Sequence, residues 1–414
     1  MDAVYQNHRV VINISHIKKF MENRAGTASA SAVLIVLFAI AVFLPIPFGA
    51  AALIAVFVYF LIKREIRSQF LRLPLWPLTL LLMALMLVVP ACCGNLLGLG
   101  CGAVICMIIA ASAFFRICMT KRLYEFVLDI ACAASLLGVT VSYIEKAVAF
   151  FAYSDASYRP MSVYINANYF ATICVFVMLI CIHKLITAHK AWCFYAAVFL
   201  LNGLALYFTN CRSAFIPLFV GLLILLLVNG RRKAFFISLG VVIALIIAAF
   251  TVSGLFPRLE DLGGRTYHVR KVIWDTALQA IADRPLFGRG PLSFLFVYEQ
   301  YGAAMQLHAH NIALEFLMSF GIVGTALLVI YFAGNIRDAC GDAKSHKTNW
   351  AGAAMVIAIT AGVLIHGITD CTLIGPQPPL LFVLLMAYPS SRFGFGGVGM
   401  LRKVNTAESL PADK

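Results

Sequence analysis

The chain has 414 residues, 62% of them hydrophobic and only 12% charged, with a mean hydropathy of +0.92. Soluble domains carry about 25% charged residues, so this chain has too little polar surface to face water on all sides. The net charge of +14 alone would fit a nucleic-acid partner, but the basic residues sit in short clusters between apolar runs. That is the positive-inside pattern of a membrane protein, and nucleic acid is not expected as a partner.

The apolar runs are mostly about 18–22 residues long, enough for a helix to cross a hydrocarbon layer of about 30 Å. They predict an all-α integral membrane protein with about 12 transmembrane helices. The spans fall near 28–44, 48–62, 74–92, 96–115, 124–144, 168–187, 191–208, 214–230, 234–253, 312–333, 350–367 and 377–390. Most of the 32 lysines and arginines lie in alternate connecting segments, including Lys63–Arg72, Arg116–Arg122, Arg231–Lys233 and both tails. Both termini are therefore expected in the cytoplasm. The expected division is a cytoplasmic tail over 1–27, spans one to nine over 28–253, a large extracytoplasmic loop over 254–311, spans ten to twelve over 312–390, and a cytoplasmic tail over 391–414. The first apolar run follows a polar stretch and precedes another span, so it reads as an uncleaved anchor. The twelve cysteines show no C-x-x-C pair or metal-ligand spacing, and most behave as small hydrophobes within apolar runs.

Within the long loop, Val269, Val272, Ile273, Ala277, Ala280 and Ile281 recur at helical spacing, while Arg270, Lys271, Asp275, Gln279 and Asp283 take other positions. The pattern predicts an amphipathic helix over about 266–283, too charged to span, stopped by Pro285 and followed by the turn Gly288-Arg289-Gly290-Pro291.

Polar residues gather at the expected outer face. Arg212 stands on a tight outer turn beside Asn210 and Ser213. It reads either as a guanidinium snorkelling to the interface or as part of an anion site. Arg265 immediately precedes the loop helix, whose N-terminal N–H groups and partial positive charge favour phosphate. A solvated loop arginine is the bland alternative.

His308-Ala309-His310-Asn311 leads directly into a span. Histidine suits proton transfer near neutral pH, Asn311 is placed to cap the following helix, and Glu315 shares its face one turn on. The two histidines also raise the question of a metal, but H-x-H is a weak signal and no third ligand is evident nearby. If the helix has already begun, His308 and His310 point about 200° apart, and His308, Asn311 and Glu315 form one stripe. His310 would then reach across from a non-helical turn. Secondary positions are Arg159 in Tyr158-Arg159-Pro160, and His366 with Asp370 at an outer helix end. Asp129, inside a span, reads as structurally paired, and Glu145 with Lys146 as an ordinary interface pair.

Four segments follow one another along the chain. The first three are Asn166-Ala167-Asn168-Tyr169, Arg212-Ser213-Ala214, and Gly264-Arg265-Thr266 with Trp274 and Pro285-Leu286-Phe287-Gly288-Arg289-Gly290. The last is His308-Ala309-His310-Asn311 with Glu315 and Gly321-Ile322-Val323-Gly324. In this order they resemble the O-antigen ligase and polymerase superfamily of lipid-linked glycan transferases. The resemblance covers roughly residues 160–330. It implies a GT-C-like bundle in the bacterial inner or plasma membrane, active at the outer face. The donor would be a glycan on undecaprenyl diphosphate, and the acceptor a glycan, a lipid A core or another envelope molecule. Arg212 and Arg265 match positions that bind the donor diphosphate, and His310 matches the residue that activates the acceptor hydroxyl. The transfer it implies is metal-independent, needs no cofactor and inverts the anomeric carbon.

A ligase and a polymerase are both compatible with this resemblance. The short outer segment near 145–167 favours the ligase. A polyprenyl-glycan transporter would be expected to show internal repeats and polar groups at mid-bilayer rather than at one face.

Overall fold

The computed structural model describes residues 29–188, 191–252, 265–345 and 350–389, with scattered positions between 19 and 26. Most of the expected N-terminal tail, the expected C-terminal tail and the loop start at 254–264, with Gly263 and Gly264, lie outside the described residues. The described chain is helical, with no β-strand among its residues. The first helices are α1 (Ala30–Ala41), α2 (Ile46–Ile62), α3 (Arg64–Phe70), α4 (Trp76–Cys92) and α5 (Leu96–Cys118). Next come α6 (Lys121–Tyr153), α7 (Ala167–Thr187), α8 (Trp192–Phe208), α9 (Phe215–Val228) and α10 (Arg232–Thr251). The last five are α11 (Arg265–Asp283), α12 (Ser293–Val297), α13 (Ile312–Ser345), α14 (Ala351–His366) and α15 (Pro378–Leu385).

Each expected span carries a helix, but not every helix is long. Helices α5, α6, α7, α10 and α13 are long and apolar enough to cross a membrane, and α2 with α3 adds a sixth if that pair, bent by 87°, is one span. Helices α1, α4, α8, α14 and α9 with its preceding turn are apolar but run only 10–17 residues. The last expected span departs furthest from expectation: α15 has 8 residues and is buried throughout most of its length. Its chain stops ahead of Pro389, where the residue before a proline disfavours the helical region.

Helix α7 is the centre of the bundle. It is apolar around its whole circumference, 83% of its span is buried, and it touches α6, α8, α9, α14 and α15. At one end its Lys184 Nζ lies 2.6 Å from Glu125 and 2.8 Å from Asp129, and Tyr195 donates to Asp129 at 2.8 Å. Asp129 is thus paired structurally, as its position inside a span required. The opposite end of α7 carries Asn168.

The segment after α10 folds onto that same end. Helix α11 forms where the periodicity places it, but its buried stripe is Ile273, Thr276, Ala277 and Ala280. Val269 and Val272 are 45% and 50% exposed, because they lie before and beside the patch that α11 covers. That patch is a small core of Ile273, Ala277, Ala280, Phe294, Val297, Ala309 and Met318. Large side chains buried this way contribute roughly 1.5–3 kcal/mol each, enough to hold the segment against α13.

The docking depends on a break in α13. Gly321 has φ 62° and ψ −171°, a conformation essentially reserved for glycine. The backbone of 285–290 fills the gap: Arg289 and Gly290 N–H donate to Met318 and Ser319 O at 3.2 and 2.7 Å, and Ile322 and Val323 N–H donate to Pro285 and Leu286 O at 2.8 and 3.0 Å. Asn95, between α4 and α5, donates to Arg289 O and Pro291 O at 3.2 and 3.0 Å while capping Gly98 N–H at 2.8 Å. The buried Arg289 guanidinium donates to Ala280 O at 2.5 Å and to Tyr301 Oη at 3.1 Å, tying down the C-terminal end of α11. A Cβ at position 321 would overlap the Leu286 carbonyl. Gly321→Ala is therefore expected to destabilise the protein by about 1–3 kcal/mol and lower its thermal midpoint in detergent. Gly100→Ala, where an added Cβ meets open space, should leave the midpoint unchanged.

Candidate functional site

The site is assembled where the segment before α13 meets the turn after α14. Asn311 caps α13, its Oδ1 accepting from Ala313 and Leu314 N–H at 3.0 and 3.1 Å. Its Nδ2 donates to Ile368 O at 3.0 Å, and Ile312 N–H donates to Gly367 O at 2.7 Å. Glu315, buried as its position near lipid demanded, accepts from Ala309 N–H at 2.9 Å and from Ser319 Oγ at 3.0 Å. These bonds place residues 308–310 beside Asp370.

His310 has a φ of 48°, so it is not helical and its ring turns towards Asp370. Its Nδ1 lies 3.1 Å from Asp370 Oδ1, and its side chain keeps 27% exposure against 3% for the aspartate. With Nδ1–H donating to the carboxylate, Nε2 carries the free lone pair. The buried carboxylate also accepts from Cys371 N–H at 2.9 Å and from Asn168 Nδ2 at 2.7 Å. Burial alone would raise the Asp370 carboxyl, but the His310 hydrogen bond and the charges of the surrounding histidines outweigh it. The group is held well below the usual carboxylate range.

His308 plays a different part. Its ring meets that of His310 edge-on at 4.3 Å, and its Nδ1 accepts the His310 backbone N–H at 3.1 Å. The proton therefore sits on Nε2, which is 3.6 Å from Asp370 Oδ1. Burial, with a smaller contribution from His310, lowers its pKa to about 4 against the opposing pull of Asp370. His308 is neutral at pH 7.

Asp370 supplies what the sequence spacing lacked, a third ligand-type group: His308, His310 and Asp370 offer atoms within 4.8 Å of one another. The hydrogen bonding does not suit a cation in this arrangement. A metal on His308 Nε2 would have to displace its proton while Nδ1 still accepts from a backbone N–H, leaving an imidazolate.

The Arg212 turn lies alongside. Arg212–Ala214 is a 3-10 turn entered through Asn210 at a φ of 51°, and Arg212 is half-buried. His366 at the end of α14 fastens it, with Nε2 3.4 Å from Ser213 Oγ and Nδ1 3.3 Å from Thr172 Oγ1. Arg159 does the same from another segment: its Nε donates to Thr209 O at 2.6 Å and its Nη2 to Asn168 Oδ1 at 2.6 Å. Arg265 opens α11, and its side chain lies outside the described residues. Further along α11, Arg270 is within electrostatic reach of His366.

The structure thus brings together His308, His310, Asn311, Arg159, the Arg212 turn and the secondary positions His366 and Asp370, and gives Asn168 a place beside Asp370 that the sequence did not assign. Glu145 and Lys146 are not a simple interface pair. Glu145 accepts from Met161 and Ser162 N–H at 2.8 and 2.9 Å, and Lys146 donates to Ala156 and Tyr158 O at 2.7 and 2.8 Å. They clamp the segment that carries Arg159.

These features define an all-helical, multi-pass membrane protein with an Asp–His pair and an arginine turn at one end of its bundle. Residues 195–329 match the family model Wzy_C, described as O-Antigen ligase. The match covers about a third of the chain, from α8 to the first half of α13, and makes that stretch similar to O-antigen ligases, a family of cell-surface polysaccharide synthesis. Arg212, α11 and His308–Glu315 lie inside the match, whereas Arg159, Asn168 and Asp370 lie outside it. No curated protein matches the chain.

His308 yields a prediction about stability. Its folded-state pKa of about 4 lies below the usual 6.5, so the unfolded chain takes up the proton first as pH falls. The contribution is fully present above about pH 6.5 and is lost progressively towards pH 4, amounting to on the order of 2 kcal/mol at pH 5. Thermal unfolding in detergent should show a smaller drop between pH 7.5 and pH 5 for His308→Gln than for the natural protein. An equal drop in both would remove His308 from the account.

Proposed function

We propose that the protein transfers a glycan from an undecaprenyl-diphosphate carrier to an acceptor hydroxyl at the outer face of the bacterial inner or plasma membrane, as an O-antigen ligase-like enzyme. The observation that carries this reading is the His310–Asp370 pair, with His310 Nε2 available, on the same end of the bundle as the Arg212 turn.

In this reading the acceptor hydroxyl gives its proton to His310 Nε2 as its oxygen attacks the anomeric carbon. The bond from that carbon to the diphosphate oxygen breaks, and undecaprenyl diphosphate leaves with the electron pair. Asp370 holds the imidazole in the required tautomer and stabilises the imidazolium that forms. The leaving group needs charge stabilisation rather than protonation, which Arg212, Arg265 and the N-terminus of α11 are suited to supply. Bidentate guanidinium–phosphate bonds do this without a metal or another cofactor.

The placement of both termini in the cytoplasm and of residues 254–311 outside belongs to the same proposal and rests on the distribution of basic residues. The segment joining α6 to α7 is short and closely tied to the bundle, which favours a ligase over a polymerase joining lipid-linked repeat units.

The test is a reconstituted assay with lipid-linked donor and acceptor, run in EDTA, with membrane abundance measured in parallel. His310→Ala should lower transfer by about 10²–10⁴, the usual loss for a general base, while His308→Ala costs at least about tenfold less. Release of undecaprenyl diphosphate should accompany each transfer. Dependence on added divalent metal, equal mild effects of the two substitutions, or glycan movement without release would reject the mechanism.

A further inference from the structure

Two polar residues stand behind the His310–Asp370 pair, on elements remote from it in sequence. Asn168 occupies the first turn of α7, after the capping residue Asn166, whose Oδ1 accepts the Asn168 N–H at 2.7 Å. Its side-chain amide is used at both ends. Nδ2 donates to Asp370 Oδ2 at 2.7 Å, and Oδ1 accepts from Arg159 Nη2 at 2.6 Å. Arg159 also holds Thr209 O, three residues before Arg212. One guanidinium thus links the arginine turn to the carboxylate that orients the histidine.

The chain of contacts has a direction. An amide between a guanidinium and a carboxylate has its oxygen and nitrogen assigned by those partners, so Asn168 can only present N–H to Asp370. That leaves Oδ1 of Asp370 for His310, His308 and the Cys371 N–H. Rotation of the carboxylate would exchange these partners, and Asn168 opposes it. Arg159 is itself held in place, because Glu145 and Lys146 bind the backbone on both sides of it.

Resting on the reading of His310 as the base, we infer that Asn168 and Arg159 are positioning residues: Arg159 orients Asn168, Asn168 orients Asp370, and Asp370 orients His310. Neither needs to touch the substrate. The segment 154–166 thereby takes part in catalysis through the geometry of a pair carried by other helices.

Around Asp370 the titratable and charged groups are His308 and His310 from the segment before α13, His366 from the end of α14, Arg159 and Tyr169 on the α7 side, and the thiols of Cys211 and Cys371. A carboxylate at position 168 would add a negative charge directly against Asp370 Oδ2. Two carboxylates that close cannot both ionise freely, and the histidines beside them hold a proton more tightly. Asp at an early helix position also favours the helix dipole, which offsets part of that repulsion, and the thermal midpoint reads what remains.

The experiment is the pH dependence of kcat for glycan transfer by purified, detergent-solubilised Asn168→Asp and Asn168→Ala, with thermal midpoint and abundance checked alongside. Asn168→Asp should move the acid limb of the profile to higher pH by about one unit, with donor KM within about threefold of the natural protein. Asn168→Ala should lower kcat about tenfold, again with little change in KM. An acid limb that stays in place in Asn168→Asp, or a raised donor KM at unchanged kcat, would overturn the inference. His310→Ala in the same assay separates the two levels. Wild-type transfer by that variant would sink the base assignment itself, whereas loss of transfer there with an unmoved Asn168→Asp profile would sink only the role of Asn168.

Discussion

A transmembrane helix that breaks leaves backbone donors and acceptors without partners, and in an apolar surrounding each such group costs several kcal/mol. Helix α13 breaks at Gly321, and the backbone of residues 285–290 satisfies both sides of the break. This exchange fixes the depth and orientation of the whole segment from α11 to His310. Gly288 and Gly290 both have positive φ and lie where a Cβ would strike α13 and Pro90, so the approach is closer than other residues permit. The small core beneath α11 and the bonds from Asn95 and Arg289 then hold the segment as a folded cap.

The site inherits its rigidity from this docking. His310 projects from the last residues of the cap, Asp370 from the turn after α14, Asn168 from the buried central helix, and Arg212 from a turn pinned by His366 and Arg159. Each lies on a different element, and hydrogen bonds of 2.6–3.1 Å join His310, Asp370 and Asn168 through Arg159 to Thr209, at the start of the Arg212 turn. Asp370 is the common member. A buried carboxylate that accepts from a histidine, an amide and a backbone N–H stays ionised, and an ionised carboxylate is what a histidine needs to accept a proton and hold it.

Local features of this arrangement were legible in the sequence because they depend on local patterns. Apolar run length marked the helices, the 3.6-residue period marked α11, and Asn311 followed by Glu315 marked the start of α13. The position of His310 in a non-helical turn was one of two geometries the spacing allowed, and the φ of 48° selects it. The partners of that histidine were not legible. Asp370 lies 60 residues from His310 and Asn168 lies 202 residues from Asp370, so only the folded chain makes them neighbours. Asp370 was legible only as a secondary position paired with His366 at an outer helix end, and nothing local tied it to His308-Ala309-His310. The eight-residue α15 shows the converse. Its apolar run has the composition of a span, yet prolines at both ends shorten it to a buried half-helix.

Direct displacement by a hydroxyl activated at His310 is the centre of the functional account, and the stereochemistry of the product tests it most directly. A lipid-linked donor of known anomeric configuration would be offered to the reconstituted protein with acceptor, and the newly formed glycosidic linkage assigned by NMR. One displacement at the anomeric carbon predicts inversion. Retention of configuration would mean two successive displacements through a glycosyl-enzyme intermediate, and would contradict the roles of His310 as base and Asp370 as its orienting partner.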